Sequence, residues 1–461
     1  MPTDADTAVV PPAPAEMLRS LDALADEVGR RIGGDLPAVA RMFRATTANT
    51  LATTVRPQPD GTCYVITGDI PAMWLRDSAA QVRPYLLLAA EQRCFADLLV
   101  GVVRRQLSQI CHDPYANAFN ETASGAHHDG GDRTEMSPLV WERKYELDSL
   151  CYPIRLAYQV WRVTGRTDHL GATFRAAAAR ILDTWDTELD HDTTSTYRFF
   201  RPGEGLARGG LGTPTASTGL IWSGFRPSDD PCERHFLVPA NAFAALAAEE
   251  LADLLTATAA DPATVAEPAA MAAAARARTH AARLRRAMAA HALVDHPEYG
   301  RIYAYEVDGL GGAVLMDDAN VPSLLSLPYL GWCPPDDPVY LATRRFVLSE
   351  ANPYRYAGRA LAGVGSPHVP GRYVWPIALV MQGLTTTDPA ERVALLRTLA
   401  ATDAGTGLMH EAVHADDPAN FTRPWFAWAN SLFSELVLLH AGLPVPGTPP
   451  GLLGATGRWA G

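Results

Sequence analysis

Apolar residues recur along this chain at intervals of three and four, the spacing that gathers them on one face of an α-helix. The pattern predicts one or two helices within residues 16–50. It predicts others over Ala79–Cys111, Tyr145–Thr164, His169–Leu189, Pro239–Thr258, Pro262–Leu293, Val321–Leu330, Pro338–Ser349, Trp375–Gly383, Asp388–Thr402 and Trp425–Ala441. Between them lie long connections rich in Gly, Pro, Asp and Asn: Asp113–Met136, Arg201–Pro231, Tyr303–Asn320, Asn352–Tyr373 and Gly405–Arg423. Such loops are uncommon in compact domains unless they build a binding site, so the chemistry is expected there. Residues 1–15, rich in Pro and Ala, are expected to be a disordered N-terminal segment. No composition break resembles an interdomain linker, so residues 16–461 are expected to form a single helical domain with inserted loops and room for small β-hairpins. The Ala/Arg-rich stretch 262–292 reads as one solvent-facing helix of high intrinsic propensity.

Composition narrows the class of molecule. With 461 residues, 48% of them hydrophobic and 20% charged, the chain can bury a large core. A net charge of −12 and the lack of any long Lys/Arg run argue against nucleic acid as a partner. The N-terminus carries acids where an export signal carries bases, and no run of ~18 apolar residues is available to cross a bilayer. A cytoplasmic protein without a membrane span is therefore expected. The six cysteines form no Cys-x-x-Cys pair and no close Cys/His spacing, so they read as small apolar residues and not as a metal site.

The loops combine acids with aromatic rings. Asp69-Ile-Pro-Ala-Met-Trp74-Leu-Arg76-Asp77 sets an indole beside a guanidinium and two carboxylates. An indole can cover the C–H face of a pyranose, while Asp and Arg exchange hydrogen bonds with vicinal hydroxyls. Arg76 and Asp77 could instead form a capping or salt-bridge pair at the start of the helix that follows, but their clustering tips the balance towards the sugar. A second cluster, Trp222-Ser-Gly-Phe-Arg226-Pro-Ser-Asp229-Asp230, ends in two adjacent acids that could serve as caps, hold a metal or, the sharper reading, supply an acid of raised pKa. In a third, Met409-His410-Glu411 precedes Trp425, which opens the last long helix. Hydrolysis of a glycosidic bond needs one group to protonate the leaving oxygen and another to activate water or attack the anomeric carbon. Two loops supplying one carboxyl each meet that need. Asp317-Asp318-Ala-Asn320 lacks the alternating ligands of a calcium loop.

The strings Asp69-Ile-Pro-Ala-Met-Trp-Leu-Arg-Asp77-Ser, Tyr145-Glu-Leu-Asp148-Ser, Phe225-Arg-Pro-Ser-Asp-Asp230, Met316-Asp-Asp-Ala-Asn320-Val-Pro-Ser, Gly365-Ser-Pro-His368 and Met409-His-Glu411 together resemble glycoside hydrolase family 125. The match runs in order from about residue 40 to 440. The resemblance implies an all-α (α/α)6 barrel and an exo-acting enzyme that removes non-reducing terminal α-1,6-linked mannose with inversion. It implies a mannose-containing oligosaccharide as substrate, with no cofactor and no catalytic metal. It places a general acid in the Arg-Pro-Ser-Asp-Asp string, assigned to Asp229 with Asp230 as rival, and a general base at Glu411. It also makes Trp74, Arg76, Asp77, Asp148, Arg226, Asn320, His368, Trp375, His410 and Trp425 candidates for holding the terminal sugar. The acid is expected to have its pKa raised by burial or by its neighbouring carboxylate. Rival readings are an (α/α)6 glycosidase of other specificity, such as an α-glucosidase, and a catalytically silent glycan-binding protein.

Overall fold

The computed structural model describes residues 13–128, 131–203, 205–259 and 267–453. Most of the segment expected to be disordered lies outside these residues. Helices dominate: α1 (Ala15–Ile32), α2 (Pro37–Thr53), α3 (Leu75–Val82), α4 (Arg93–His112), α5 (Leu147–Thr164), α6 (Ala172–Glu188), α7 (Val238–Ala259), α8 (Glu267–His291), α9 (Leu327–Leu330), α10 (Pro338–Val347), α11 (Pro376–Thr385), α12 (Pro389–Ala401) and α13 (Ala427–His440). Single turns of three or four residues add to these, among them Arg83–Tyr85, Leu86–Ala89 and His191–Thr194.

Six of these close a ring. Helix α3 packs on α5, α5 on α7, α7 on α9, α9 on α11, α11 on α13, and α13 back on α3. Each inner helix follows an outer one in sequence, giving the pairs α2/α3, α4/α5, α6/α7, α8/α9, α10/α11 and α12/α13. Six helical hairpins wound in a circle make an (α/α)6 barrel, and α1 packs on α2 outside it. Because an inner helix meets neighbours on all sides, it is buried all round, polar residues included. In α13 every residue from Ala427 to Leu439 is buried.

Two expected helices come out differently. The span expected at Ala79–Cys111 is broken: α3 ends at Val82, a 3₁₀ turn covers Arg83–Tyr85, and α4 restarts at Arg93. Pro84 lacks the N–H that would continue the first helix. Over Val321–Leu330 only α9 is helical. There the Asp317 carboxylate accepts the N–H groups of Leu324 and Leu325, at 2.8 and 3.0 Å, and holds the chain in a turn before the helix can form. The Ala/Arg-rich stretch is an outer helix, α8, and not free of the core, since Ala274, Ala277, Leu284 and Met288 are buried. Residues 260–266, at its expected start, lie outside the described residues.

The strands are short and antiparallel. Three small three-stranded sheets join loops that precede inner helices: Met73–Trp74 with Ala118–Phe119 and Val140–Glu142, Phe236–Leu237 with Glu306–Val307 and Ala313–Val314, and Tyr373–Val374 with Ala412–His414 and Asp417–Thr422. Each strand that leads directly into α3, α7 or α11 is therefore tied to loops belonging to the next hairpin. The ties fix the loops at the mouth of the ring where the inner helices begin.

Candidate active site

Four of the six inner helices, α3, α5, α11 and α13, carry candidate residues at or just before their N-terminal ends, and the other two, α7 and α9, follow the loops bearing the Asp229/Asp230 doublet and Asn320 respectively. Side chains from several of these loops meet in one pocket of about 380 Å³. Trp74, Arg76, Asp77, Asp229, Asn320, His368, Trp375 and Glu411 all line it.

The doublet is pulled apart by the backbone. Residues 226–230 form a tight turn in which the N–H of Asp229 donates to the Arg226 carbonyl at 2.9 Å and the N–H of Arg226 donates to the Asp230 carbonyl at 2.8 Å. Closing it puts Asp229 at φ +67°, a left-handed conformation that Asp tolerates better than most residues. The Asp229 side chain, 24% exposed, opens into the pocket. The Asp230 carboxylate instead accepts the Ser228 hydroxyl at 3.0 Å and faces His368 Nδ1 at 3.1 Å.

Glu411 lies in the same pocket and arrives on the loop before α13. Its two oxygens accept the Thr422 hydroxyl at 3.0 Å and Arg423 Nη1 at 3.2 Å. Arg423 holds its own left-handed backbone, φ +48°, and also reaches the Thr67 carbonyl and Asp69. Its guanidinium stacks on Phe426, 4.6 Å from the ring centroid.

Arg76 is the electrostatic centre of the floor. Four carboxylates surround its buried guanidinium: Glu146, in direct contact, and Asp77, Asp148 and Asp229, each at 3.5 Å. Trp428 lies against the same guanidinium, 5.5 Å from it. Burial pushes the Asp148 carboxyl up to about 6 despite Arg76. Asp77 is also raised, by burial first and by Asp229 against the pull of Arg76 and Arg423.

Asp229 runs opposite to the sequence expectation of a raised pKa. Burial favours its neutral form, but Lys144, Arg76, a hydrogen bond with Glu146 and the charge of His368 together hold it well below the usual carboxylate range. The Asp230 carboxylate, turned to Ser228 and His368, is not the neighbour that governs Asp229. Glu146, with its side chain fully buried, is driven strongly upward by desolvation and by Asp229 and Asp148, against the pull of Arg76. In His368, burial favours the neutral ring, but the Asp230 hydrogen bond and the charges of Asp230, Asp229 and Glu411 raise it to about 9.

Some candidates stand outside the pocket lining. Asp148 sits behind Arg76. Arg226 turns away to Glu306, with Nε 2.6 Å from its carboxylate, and braces the loop from beneath. His410 bridges the carbonyls of Arg423 and Asp403 and stacks on Phe421 at 3.8 Å between centroids. Trp425 packs over Gly68, where φ is +117° and a Cβ would come within 3.3 Å of the indole. In its place Phe426 and Trp428 line the pocket, and the sequence reading passed over both, together with Thr67, Ile70, Arg423, Glu146 and Asn117. Phe426 and Trp428 stand just after Trp425 in the sequence, and Glu146 stands two residues before Asp148. Asn320 reaches the pocket because Asp318 accepts both its backbone and side-chain N–H groups at 3.0 Å.

Among the described residues no group of three or more His, Cys, Asp or Glu is placed to hold a metal ion, and the six cysteines are unpaired with one another. No helix among them is long and apolar enough to cross a membrane.

The family model of metal-independent α-mannosidases, GH125, matches residues 36–438. The chain belongs to glycoside hydrolase family 125. A family 125 protein from Streptococcus pneumoniae, solved as a non-productive substrate complex with α-1,6-mannobiose, is 44% identical, with 94% of this chain and 99% of that one covered at a TM-score of 0.88. The meiotically up-regulated gene 157 protein of Schizosaccharomyces pombe is 40% identical over 425 residues, 87% of this chain and 82% of the yeast protein. A solved wild-type glycosidase at 16% identity, with 89% of this chain and 99% of that one covered and a TM-score of 0.52, shares the fold alone. The ring of six helical hairpins is thus the barrel of a family 125 α-mannosidase.

Proposed function

We propose that this family 125 enzyme removes a non-reducing terminal α-1,6-linked mannose with inversion, with Asp229 as general acid and Glu411 as general base. One observation carries the reading: the two carboxyls come from loops nearly two hundred residues apart, yet line the same pocket with different partners. Glu411, paired with Arg423 and Thr422, is set to take a proton from water. Asp229 protonates the glycosidic oxygen as the bond to the anomeric carbon breaks. Attack by water from the opposite face then inverts the centre.

The pocket's walls suit a sugar ring. Trp74, Trp375 and Trp428 supply apolar faces, and none of their indole N–H groups has a protein partner among the described residues. Arg76, Asp77, Asn320 and His368 offer donors and acceptors for hydroxyls. The α-1,6-mannobiose bound by the pneumococcal relative supports the same linkage here.

Proton NMR of the first sugar released from α-1,6-mannobiose tests the proposal. The expected result is β-mannose appearing first and mutarotating to α. Release of α-mannose first would sink inversion, and turnover of α-glucosides in preference to mannobiose would sink the specificity.

A further inference from the structure

Behind Asp229, out of reach of any sugar, lies a second carboxyl. Glu146 immediately precedes α5, and its side chain is fully buried. One of its oxygens, Oε2, accepts from Arg76 Nη1 and from the Ser149 hydroxyl, the latter at 2.7 Å. The Asn117 amide nitrogen spans the pair, 3.4 Å from Glu146 Oε1 and 3.2 Å from Asp229 Oδ1. The Glu146 and Asp229 carboxyls are thus tied to one another through the Asn117 amide and through the guanidinium of Arg76, which contacts both.

Two carboxylates held by the same donors resist ionising together, so the pair keeps one proton. Its place follows from the neighbouring charges. Asp77, Glu146, Asp148 and Asp229 crowd around the guanidinium of Arg76, and since Asp229 also faces Lys144 and His368, the fully buried Glu146 is the one of the pair on which the proton is favoured. The cations and acids facing the pair from other elements are Lys144, with Glu142 at 3.5 Å, His368, and the thiol of Cys232. With Oε2 already taken by two donors, the proton belongs on the side of Glu146 that faces Asp229.

We infer that Glu146 is the proton store of this active site, holding the one proton it shares with Asp229 and passing it to Asp229 when a sugar fills the pocket. The inference rests on Asp229 being the general acid. The sugar excludes water from Asp229, which then loses the solvation that favours its charge, while Glu146 as a carboxylate keeps Arg76 and Ser149. The O–H bond on Glu146 breaks as one forms on Asp229. That proton goes to the glycosidic oxygen as its bond to the anomeric carbon breaks. The oxygen of water bonds to the same carbon and its proton passes to Glu411. Afterwards one proton returns from solvent to the Glu146/Asp229 pair and one leaves Glu411, so the cycle consumes only water and glycoside. Glu146 touches no reacting atom and is a positioning residue acting through Asp229.

The test compares pH profiles of kcat/KM on α-1,6-mannobiose for the wild type, Glu146→Gln, Ser149→Ala and Asp229→Asn. In the wild type the alkaline limb reports loss of the shared proton. An amide at 146 holds no transferable proton and leaves Asp229 to titrate alone beside Arg76 and Lys144. The limb should then move down by about one pH unit or more, a tenfold change in the proton's affinity. Turnover of 2,4-dinitrophenyl α-mannoside, whose leaving group needs no proton, should stay within about threefold of the wild type. Ser149→Ala is the milder variant: it removes a donor that favours the Glu146 carboxylate, so the limb should move up. An alkaline limb that stays put in both variants overturns the inference, as does equal loss on both substrates in Glu146→Gln. Asp229→Asn that still cleaves mannobiose at the wild-type rate instead overturns the assignment of the acid.

Discussion

Asp230 faces His368 across 3.1 Å, and that contact turns the second carboxylate of the doublet away from the group that Asp229 presents to the pocket. Adjacent in sequence, the two acids therefore have separable roles, and they should differ on substitution. Asp229→Asn should lower kcat on mannobiose by about 10²–10⁴-fold, the usual worth of a general acid, and should recover much of it on a dinitrophenyl mannoside. Asp230→Asn should cost far less, because it loosens His368 without removing a proton donor. Steady-state kinetics of both variants on both substrates decide this, and the reverse ranking rejects the assignment.

Glu411→Gln should lose as much turnover as Asp229→Asn, about 10²-fold or more, but gain nothing from the activated leaving group. Activation of water is still required when departure is easy. Rate measurements with azide added as a substitute nucleophile check the point: azide should restore turnover in Glu411→Gln and not in Asp229→Asn.

Arg423→Lys keeps a cation but loses the fork that reaches Glu411, Asp69 and the Thr67 carbonyl together. A fall in kcat of about tenfold is expected, in line with a misplaced base, on natural and activated substrates alike. Unchanged kcat with raised KM would show that Arg423 serves binding alone.

The His368–Asp230 pair predicts a pH dependence of stability. The imidazole is raised from an ordinary 6.5 to about 9 in the folded protein. The stabilisation is therefore fully present below about 6.5 and disappears as the pH rises through 9. Because the side chain is 39% exposed, solvent weakens the effect. The wild type should melt above His368→Gln at pH 6, with the gap closing by pH 10. A gap that widens with pH would contradict the charged pair.

Much of the barrel was legible in the sequence because its helices carry strong three-four periodicity, and most predicted spans agree with the observed ones to within a few residues. What periodicity could not show is which helix is inner and which outer. It also overran Pro84 and the Asp317 turn, where a missing N–H and a side chain competing for backbone amides overrule the apolar pattern. At the site, the acids and aromatics were visible as clusters, but their directions were not. Asp229 and Asp230 differ by a single left-handed residue. Helix α13 begins at Ala427, so Phe426 and Trp428 line the pocket while Trp425 packs over Gly68. Glu146 and Asn117 escaped notice because one looked like the start of a helix and the other like loop. Their importance arises from burial against Asp229, which no spacing encodes.

The wall of the pocket is contributed a little at a time by successive hairpins around the ring. No contiguous fragment of the polypeptide holds both Asp229 and Glu411 together with Trp74 and Arg76 unless it contains most of the barrel. Catalysis is consequently a property of circular closure: two severed halves would be inert apart and would regain turnover only on reassembly, so mannose release doubles as a gauge of whether the circle is complete.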